Sequence, residues 1–296
     1  MKTPPPTLRN CRSVLAALAS GWLFLTLAAS LHAQATKIFV ASAGNDANDG
    51  SRGSPKRTFQ AAHDAVAAGG QIVVLDTAGY GTLNINKSLA VTVPPGVNGF
   101  ITVTDVATNG ITINAGSTDT ISLRGLIVEY SGGGVVGQGI VAIVVGNLVL
   151  EDCAVRNFGE GIRILAAGNL KLYVHNCTVR GCSAFGLEVD TSSDPGGNVY
   201  ATVSDCRVEA TTNGGVVIFN NNGTVDLTLT GCIISGNGQG VFANGSNAVA
   251  RVSNCTITGN AAGIVTNNSG SVLSRGNNTL ENNADGNVFP ATYTAK

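Results

Sequence analysis

Charge is scarce in this sequence. Only 12% of its residues are Asp, Glu, Lys or Arg, and they form no acidic or basic block. With so little charge and so many β-branched residues, the chain is not of the disordered class. Proline is also sparse, at eight residues, and no helical 3.6-residue pattern runs through residues 81–288. A helix bundle is thereby excluded for most of the chain. The single tryptophan, Trp22, lies in the N-terminal segment, and the five tyrosines are scattered. A binding module built on a tryptophan platform is therefore not legible here.

That N-terminal segment reads as a secretory signal peptide over residues 1–35. Lys2, Arg9 and Arg12 give a positive start, and Val14 to Ala29 is an apolar run too short for a comfortable membrane span. "HAQA" offers cleavage after Ala33 or Ala35. No cysteine stands there to make a lipoprotein. The expected location is secreted, periplasmic or extracellular, with no membrane span in the mature chain. Cleavage leaves 14 Lys and Arg against 18 Asp and Glu, a net charge of −4. That balance does not point to nucleic acid or an anionic membrane, and neither is expected as a partner.

Glycine, by contrast, is abundant at 39 residues, and it recurs in register with cysteine. "EDCAVRNFGEGIRI", "HNCTVRGCSAFGLEV", "SDCRVEATTNGGVVI", "TGCIISGNGQGVFA" and "SNCTITGNAAGIVT" share one pattern. Cys153, Cys177, Cys206, Cys232 and Cys255 are spaced by 24, 29, 26 and 23 residues. Leu126 takes the slot earlier and Asn278 later. A glycine marker follows at 110, 139, 161, 186, 215, 240, 263 and 286. A period of this length means a solenoid, and its segments of three to five alternating residues are strands. The leucine-rich repeat is excluded because its fixed Leu and Asn spacing is missing. The expected fold class is all-β: a single-stranded right-handed parallel β-helix over residues 81–288. Seven coils at about 4.8 Å make a rod roughly 34 Å long.

Period-two alternation points each cysteine and the residue two further on inward, and Ala154 and Arg156 outward. The cysteines form a ladder of free buried thiols, with Cys182 expected off it. Asp152, Asn176, Asp205, Asn254 and Asn277 mark stacked corners. Residues 36–80 form an N-terminal cap, in which Thr58 begins a helix reaching about Ala68 and closed by Gly69. Phe59, Ala62 and Val66 face inward from that helix, and His63 is placed on its surface. Residues 289–296 read as a C-terminal tail.

"KIFVASAGNDANDGSRGSPKRTFQAAHDAVAAGGQIVVLDTAGYG", followed by glycine-rich coils, resembles the pectate-lyase-like superfamily of right-handed parallel β-helix proteins, from about Lys37 to Val288. The resemblance implies the fold. It leaves activity open, because the fold hosts lyases, hydrolases, adhesins and inert surface proteins. Lyases of the family hold an acidic sugar through calcium bound by carboxylates, and an Arg or Lys removes its C5 proton. Hydrolases use paired carboxylates. No stretch here matches either signature closely enough to carry a residue over.

The position after each Gly-aliphatic pair lines one outward face: Thr112, Val141, Arg163, Glu188, Val217, Phe242 and Val265. It is mostly apolar. Arg163, with Glu188 and Asp190 on the next coil, is the candidate catalytic group, and its plain reading is a surface ion pair. Asp194, in the longest loop, and Phe242 are candidate ligand contacts. In "GNDANDG", Asn45, Asp46, Asn48 and Asp49 are hard oxygen donors that would suit calcium, and their plain reading is an Asx-turn loop. No other cofactor is expected. "GGGVVG", Gly132 to Gly137, leads into strands rather than a helix and is no dinucleotide loop. His175 lacks an evident Ser or Cys partner. The function expected first is a non-catalytic extracellular structural or interaction protein, with polysaccharide as the partner class. The alternatives are a polysaccharide lyase or glycoside hydrolase, and a carbohydrate-binding module.

Overall fold

A computed structural model describes residues 34–134, 137–191, 197–220 and 222–294. The expected signal peptide therefore lies almost wholly outside the described residues, as do Asp194 and part of the 132–137 glycine run. Among the described residues, no helix is long and apolar enough to cross a membrane.

Three parallel sheets of eleven, eight and nine strands wind into a right-handed β-helix of about seven turns. Each turn gives one strand to each sheet. Asn147–Glu151 lies in the first sheet, Glu160–Ile164 in the second and Ala154–Arg156 in the third. One coil later, Leu170–His175, Phe185–Asp190 and Thr178–Arg180 pair onto them in register. Period-two alternation buries Leu148, Leu150, Val155 and Ile164 in one continuous core.

The corner before each cysteine needs a left-handed residue. Asp152, Asn176, Asp205 and Asn254 have φ between 50° and 54°, and Gly125 and Gly231 fill the same slot. Asn and Asp tolerate that region better than other non-glycine residues. Asn176 Nδ2 also donates to Asp152 Oδ1 across the coils, at 2.8 Å. Cys153, Cys177, Cys206, Cys232 and Cys255 are buried with free thiols, and Asn278 continues their row by accepting from Cys255 N at 2.8 Å.

Cys182 lies off that ladder, as expected, but it is no exception to the free, buried thiols. It is buried, and burial pushes its thiol up to about 12. It belongs to a second inward row, five residues after the first: Phe158, Cys182, Thr211, Asn237, Asn260 and Asn283, all buried. Asn237 N donates to Asn260 Oδ1 at 2.9 Å, and Asn260 N donates to Asn283 Oδ1 at 3.0 Å. The amide groups also donate to interior carbonyls, Asn237 Nδ2 to Val208 O and Asn260 Nδ2 to Ile234 O, each at 3.1 Å. Asn283 Nδ2 donates to Asn287 Oδ1 at 2.7 Å, which closes the row.

The cap helix is Phe59–Ala65, with Thr58 Oγ1 accepting from Ala61 N at 3.2 Å. It stops three residues earlier than the spacing predicts. Val66 leaves the helix and opens a strand, Val66–Val74, that pairs with Ala35–Val40. Gly69 sits inside that strand at φ +75° and is not the helix cap. His63 is buried rather than on the surface, because the helix packs on strands Ala35–Val40, Val66–Val74 and Leu83–Ile85. Its Nδ1 lies 2.9 Å from Asp64 Oδ1. At the other end the expected tail contributes a short strand, Ala291–Thr292, paired with Ser271–Ser274.

Candidate functional site

The second sheet carries the candidate residues on its outer face. Backbone register runs Thr112, Val141, Arg163, Glu188, Val217, Phe242 and Val265 along one row. This is the row expected from the glycine marker. A second outward row begins one residue before each glycine: Gln138, Glu160, Phe185, Gly214 and Gln239. Two rows three residues apart share a face because the glycine turns a corner. Gly161 and Ile162 are both buried, which breaks strict alternation.

Glu160, the residue before Gly161, is thereby brought onto Arg163. Arg163 Nη1 donates to Glu160 Oε2 at 3.0 Å and Oε1 at 3.3 Å. Its Nε lies 3.5 Å from Glu188 Oε2 and its Nη2 4.0 Å from Asp190 Oδ2. The structure thus joins the three residues the sequence singled out and adds a third carboxylate. The pairing is more than a surface ion pair. The side chain of Glu188 is 4% exposed, and its Oε2 and Arg163 Nε have no hydrogen-bond partner. Burial foremost, then the Glu160 charge, raise the Glu188 carboxyl against the pull of Arg163, to about 7.

That shift carries a stability prediction. Between pH 4.5 and about 7 the folded carboxyl holds a proton that the unfolded chain has released. Stability therefore falls as pH rises through that window. Glu188→Gln cannot ionise. Its stability relative to wild type should rise by about 1–3 kcal/mol from acid to neutral pH, read from urea midpoints. A pH-independent difference would refute the buried-acid assignment.

Beside the acids lies an aromatic cluster. Phe185 and Phe219 meet edge-to-face at 5.8 Å, and Phe219 and Phe242 at 5.6 Å. They rim an open groove of about 490 Å³ shared with Thr212, Asn213 and Gln239. Phe242 was legible from its row. Phe185 and Phe219 were not, because they belong to flanking rows: Phe185 stands opposite Glu160 and Phe219 opposite Asp190.

The oxygen atoms of the 44–50 loop are engaged within the protein. Asp46 Oδ1 accepts from Arg57 N and Thr58 N, both at 2.8 Å, and Oδ2 from Thr58 Oγ1 at 3.0 Å. Burial alone would raise its carboxyl, but these bonds hold it below the ordinary range. Asn45 Oδ1 accepts from Ala47 N and Asp49 Oδ1 from Ser51 N, while Asn48 donates to Pro55 O. Asp46 thus ties the loop to the start of the cap helix, and Asn45 and Asp49 make turns within it, as in the plain reading of the loop. On the sheet face, the cation among the carboxylates is Arg163. Among the described residues, no group of three or more His, Cys, Asp or Glu side chains is arranged for a metal.

His175 does have a serine neighbour: its Nδ1 lies 3.0 Å from Ser204 Oγ and 3.5 Å from Asp205 Oδ2. Both groups address the same ring nitrogen. A triad requires the base and its orienting carboxylate to use different ones, so this is a surface cluster.

No curated protein matches the chain. The crystal structure of pectate lyase Pel9A aligns with a TM-score of 0.63 at 19% identity, over 80% of this chain and 67% of that one. At that identity the likeness is one of fold. Residues 100–250 match a family model described as right handed beta helix region. That span is just over half of the chain and contains Arg163, Glu188 and the aromatic cluster, so the chain belongs to the right-handed β-helix family.

Proposed function

We propose that the chain is an exported glycan-binding β-helix protein that lays a polysaccharide along the outer face of its second sheet. The observation that carries this is Glu188. A carboxyl almost wholly withdrawn from water, with an oxygen left without a hydrogen bond, is costly to a purely structural rod. Its neighbour Arg163 Nε, 3.5 Å away, is equally without a hydrogen bond, and a ligand hydroxyl that parts the two would bond both. The phenylalanine rim beside it supplies the apolar stacking surface that the missing tryptophans would otherwise provide. The N-terminal segment supports export, and the pectate lyase of the same fold supports polysaccharide as the ligand class.

Affinity electrophoresis through gels cast with a polysaccharide panel tests this. Retardation is expected with at least one polymer, and Phe219→Ala should weaken it about tenfold, the effect of losing one stacked ring. Free migration in every gel would leave a non-binding structural rod.

Cleavage is a second reading, favoured by Glu188 and Asp190 at i, i+2 on one strand. Hydrolysis of a glycosidic bond uses one protonated carboxyl and one carboxylate. A lyase reading is less well supported, because Arg163 is turned onto carboxylates and is not held free as a base. New reducing ends, abolished by Glu188→Gln, would establish the hydrolase. Binding without turnover would leave the non-catalytic role.

A further inference from the structure

The charges and surfaces of this face point to a ligand class: we infer that it selects an uncharged glycan and rejects a uronate polymer. The inference rests on the glycan-binding reading above.

Three observations carry it. First, the face is electronegative at its centre. Glu160, Glu188 and Asp190 all lie within 4.0 Å of one guanidinium. Arg163 is the only basic side chain among the described residues of the paired outward rows. A uronate carboxylate placed there would meet like charge at short range.

Second, that one cation is already committed. Arg163 Nη1 is held by both oxygens of Glu160, and the arginine side chain is only 25% exposed. An incoming carboxylate would have to displace Glu160 or Asp190 to reach it, and would leave the displaced group unpaired.

Third, the adjoining groove carries no charge. Thr212, Asn213 and Gln239 offer hydroxyl and amide groups that match sugar hydroxyls. Phe185 and Phe219, half-buried, offer ring surface for the C–H face of a pyranose, and the buried Phe242 backs Phe219. The protonated form of Glu188 donates to a sugar oxygen, and a neutral sugar accepts that bond without adding charge beside Asp190.

The test uses polymers that differ in charge and share a backbone: fully methyl-esterified against free-acid homogalacturonan, and hydroxyethyl- against carboxymethyl-cellulose. Mature protein is titrated with each at low salt. In any pair that binds, the neutral member should bind at least about tenfold tighter, the effect of one poorly screened like-charge contact. Raising the salt should narrow the gap, since repulsion is screened. Asp190→Asn and, separately, Glu160→Gln should recover part of the uronate binding, while Phe219→Ala should weaken both members alike. If the acidic member binds equally well or better, the inference is overturned and glycan binding stands. If neither pair binds and no polymer of the wider panel retards the protein, in a preparation whose circular dichroism shows intact β-structure, the glycan reading fails and takes this inference with it.

Discussion

Alanine at Gly186 is expected to destabilise the solenoid by at least about 3 kcal/mol, the upper range for an overpacked core. A Cβ built there would stand 2.4 Å from Val208 Cγ1, 2.7 Å from Gly215 O and 3.2 Å from Thr211 Cγ2. The valine methyl could rotate away. The Gly215 carbonyl belongs to the next coil's backbone and cannot, without opening the ladder between Phe185–Asp190 and Gly214–Phe219. The same geometry recurs at Gly161, where Val179 Cγ1 is 2.3 Å and Gly186 O 2.7 Å from the built Cβ. The recurring glycine is thus a corner where successive coils touch backbone to backbone. Gly53→Ala is the control, since nothing lies within 4 Å of its built Cβ. It should change stability by no more than about 0.5 kcal/mol, as surface substitutions do. Urea midpoints by circular dichroism read both. A Gly186→Ala protein as stable as the control would show that the coils can separate at this corner.

Leucine at Asn260 is expected to do comparable damage by a different route, about 3 kcal/mol or more. Leucine keeps the branched four-atom skeleton of asparagine and removes its polar atoms. Removing the amide strips the acceptor of Asn237 N and Nδ2 and the donor to Ile234 O, and leaves Asn283 Oδ1 without its 2.8 Å partner. Each buried polar group left unmatched costs about 1–3 kcal/mol. Because coils interact only with their neighbours, the loss should be local. The coils from Asn237 onward should unfold in a separate, earlier transition, while hydrogen exchange stays slow in the strands before Cys232. A single cooperative transition at the wild-type midpoint would mean that the amide row contributes little.

Much of the candidate site was legible in the sequence. The spacing from cysteine to glycine places Arg163 opposite Glu188, and the coordinates give that pairing. Asp190 followed from alternation along one strand. What escaped were residues whose position depends on the corner itself. Glu160 precedes Gly161, and reading it by alternation from Arg163 puts it on the wrong face, because the bend buries two consecutive residues there. Phe185 and Phe219 are 34 residues apart and sit in different rows, yet their rings meet at 5.8 Å. The signal for the asparagine row was present, as an inward residue five places after each cysteine-slot residue. It was hidden because Phe158, Cys182 and Thr211 fill the slot before Asn237, Asn260 and Asn283 do. His63 was misplaced because a helix of seven residues offers too few turns to show which face its neighbours cover.

The sequence by itself determined the repeat, the strand phase, the inward thiols and the row on which Arg163 and Glu188 stand. These follow from periodicity, and a one-residue slip would turn every apolar side chain to the water. Only the tertiary structure decided that Glu188 is buried, that three carboxylates surround one guanidinium, and that three phenylalanines adjoin them. Burial and charge proximity are properties of neighbouring coils, 22 to 29 residues apart in the chain and about 4.8 Å apart in space. No local pattern encodes which side chains will share that gap.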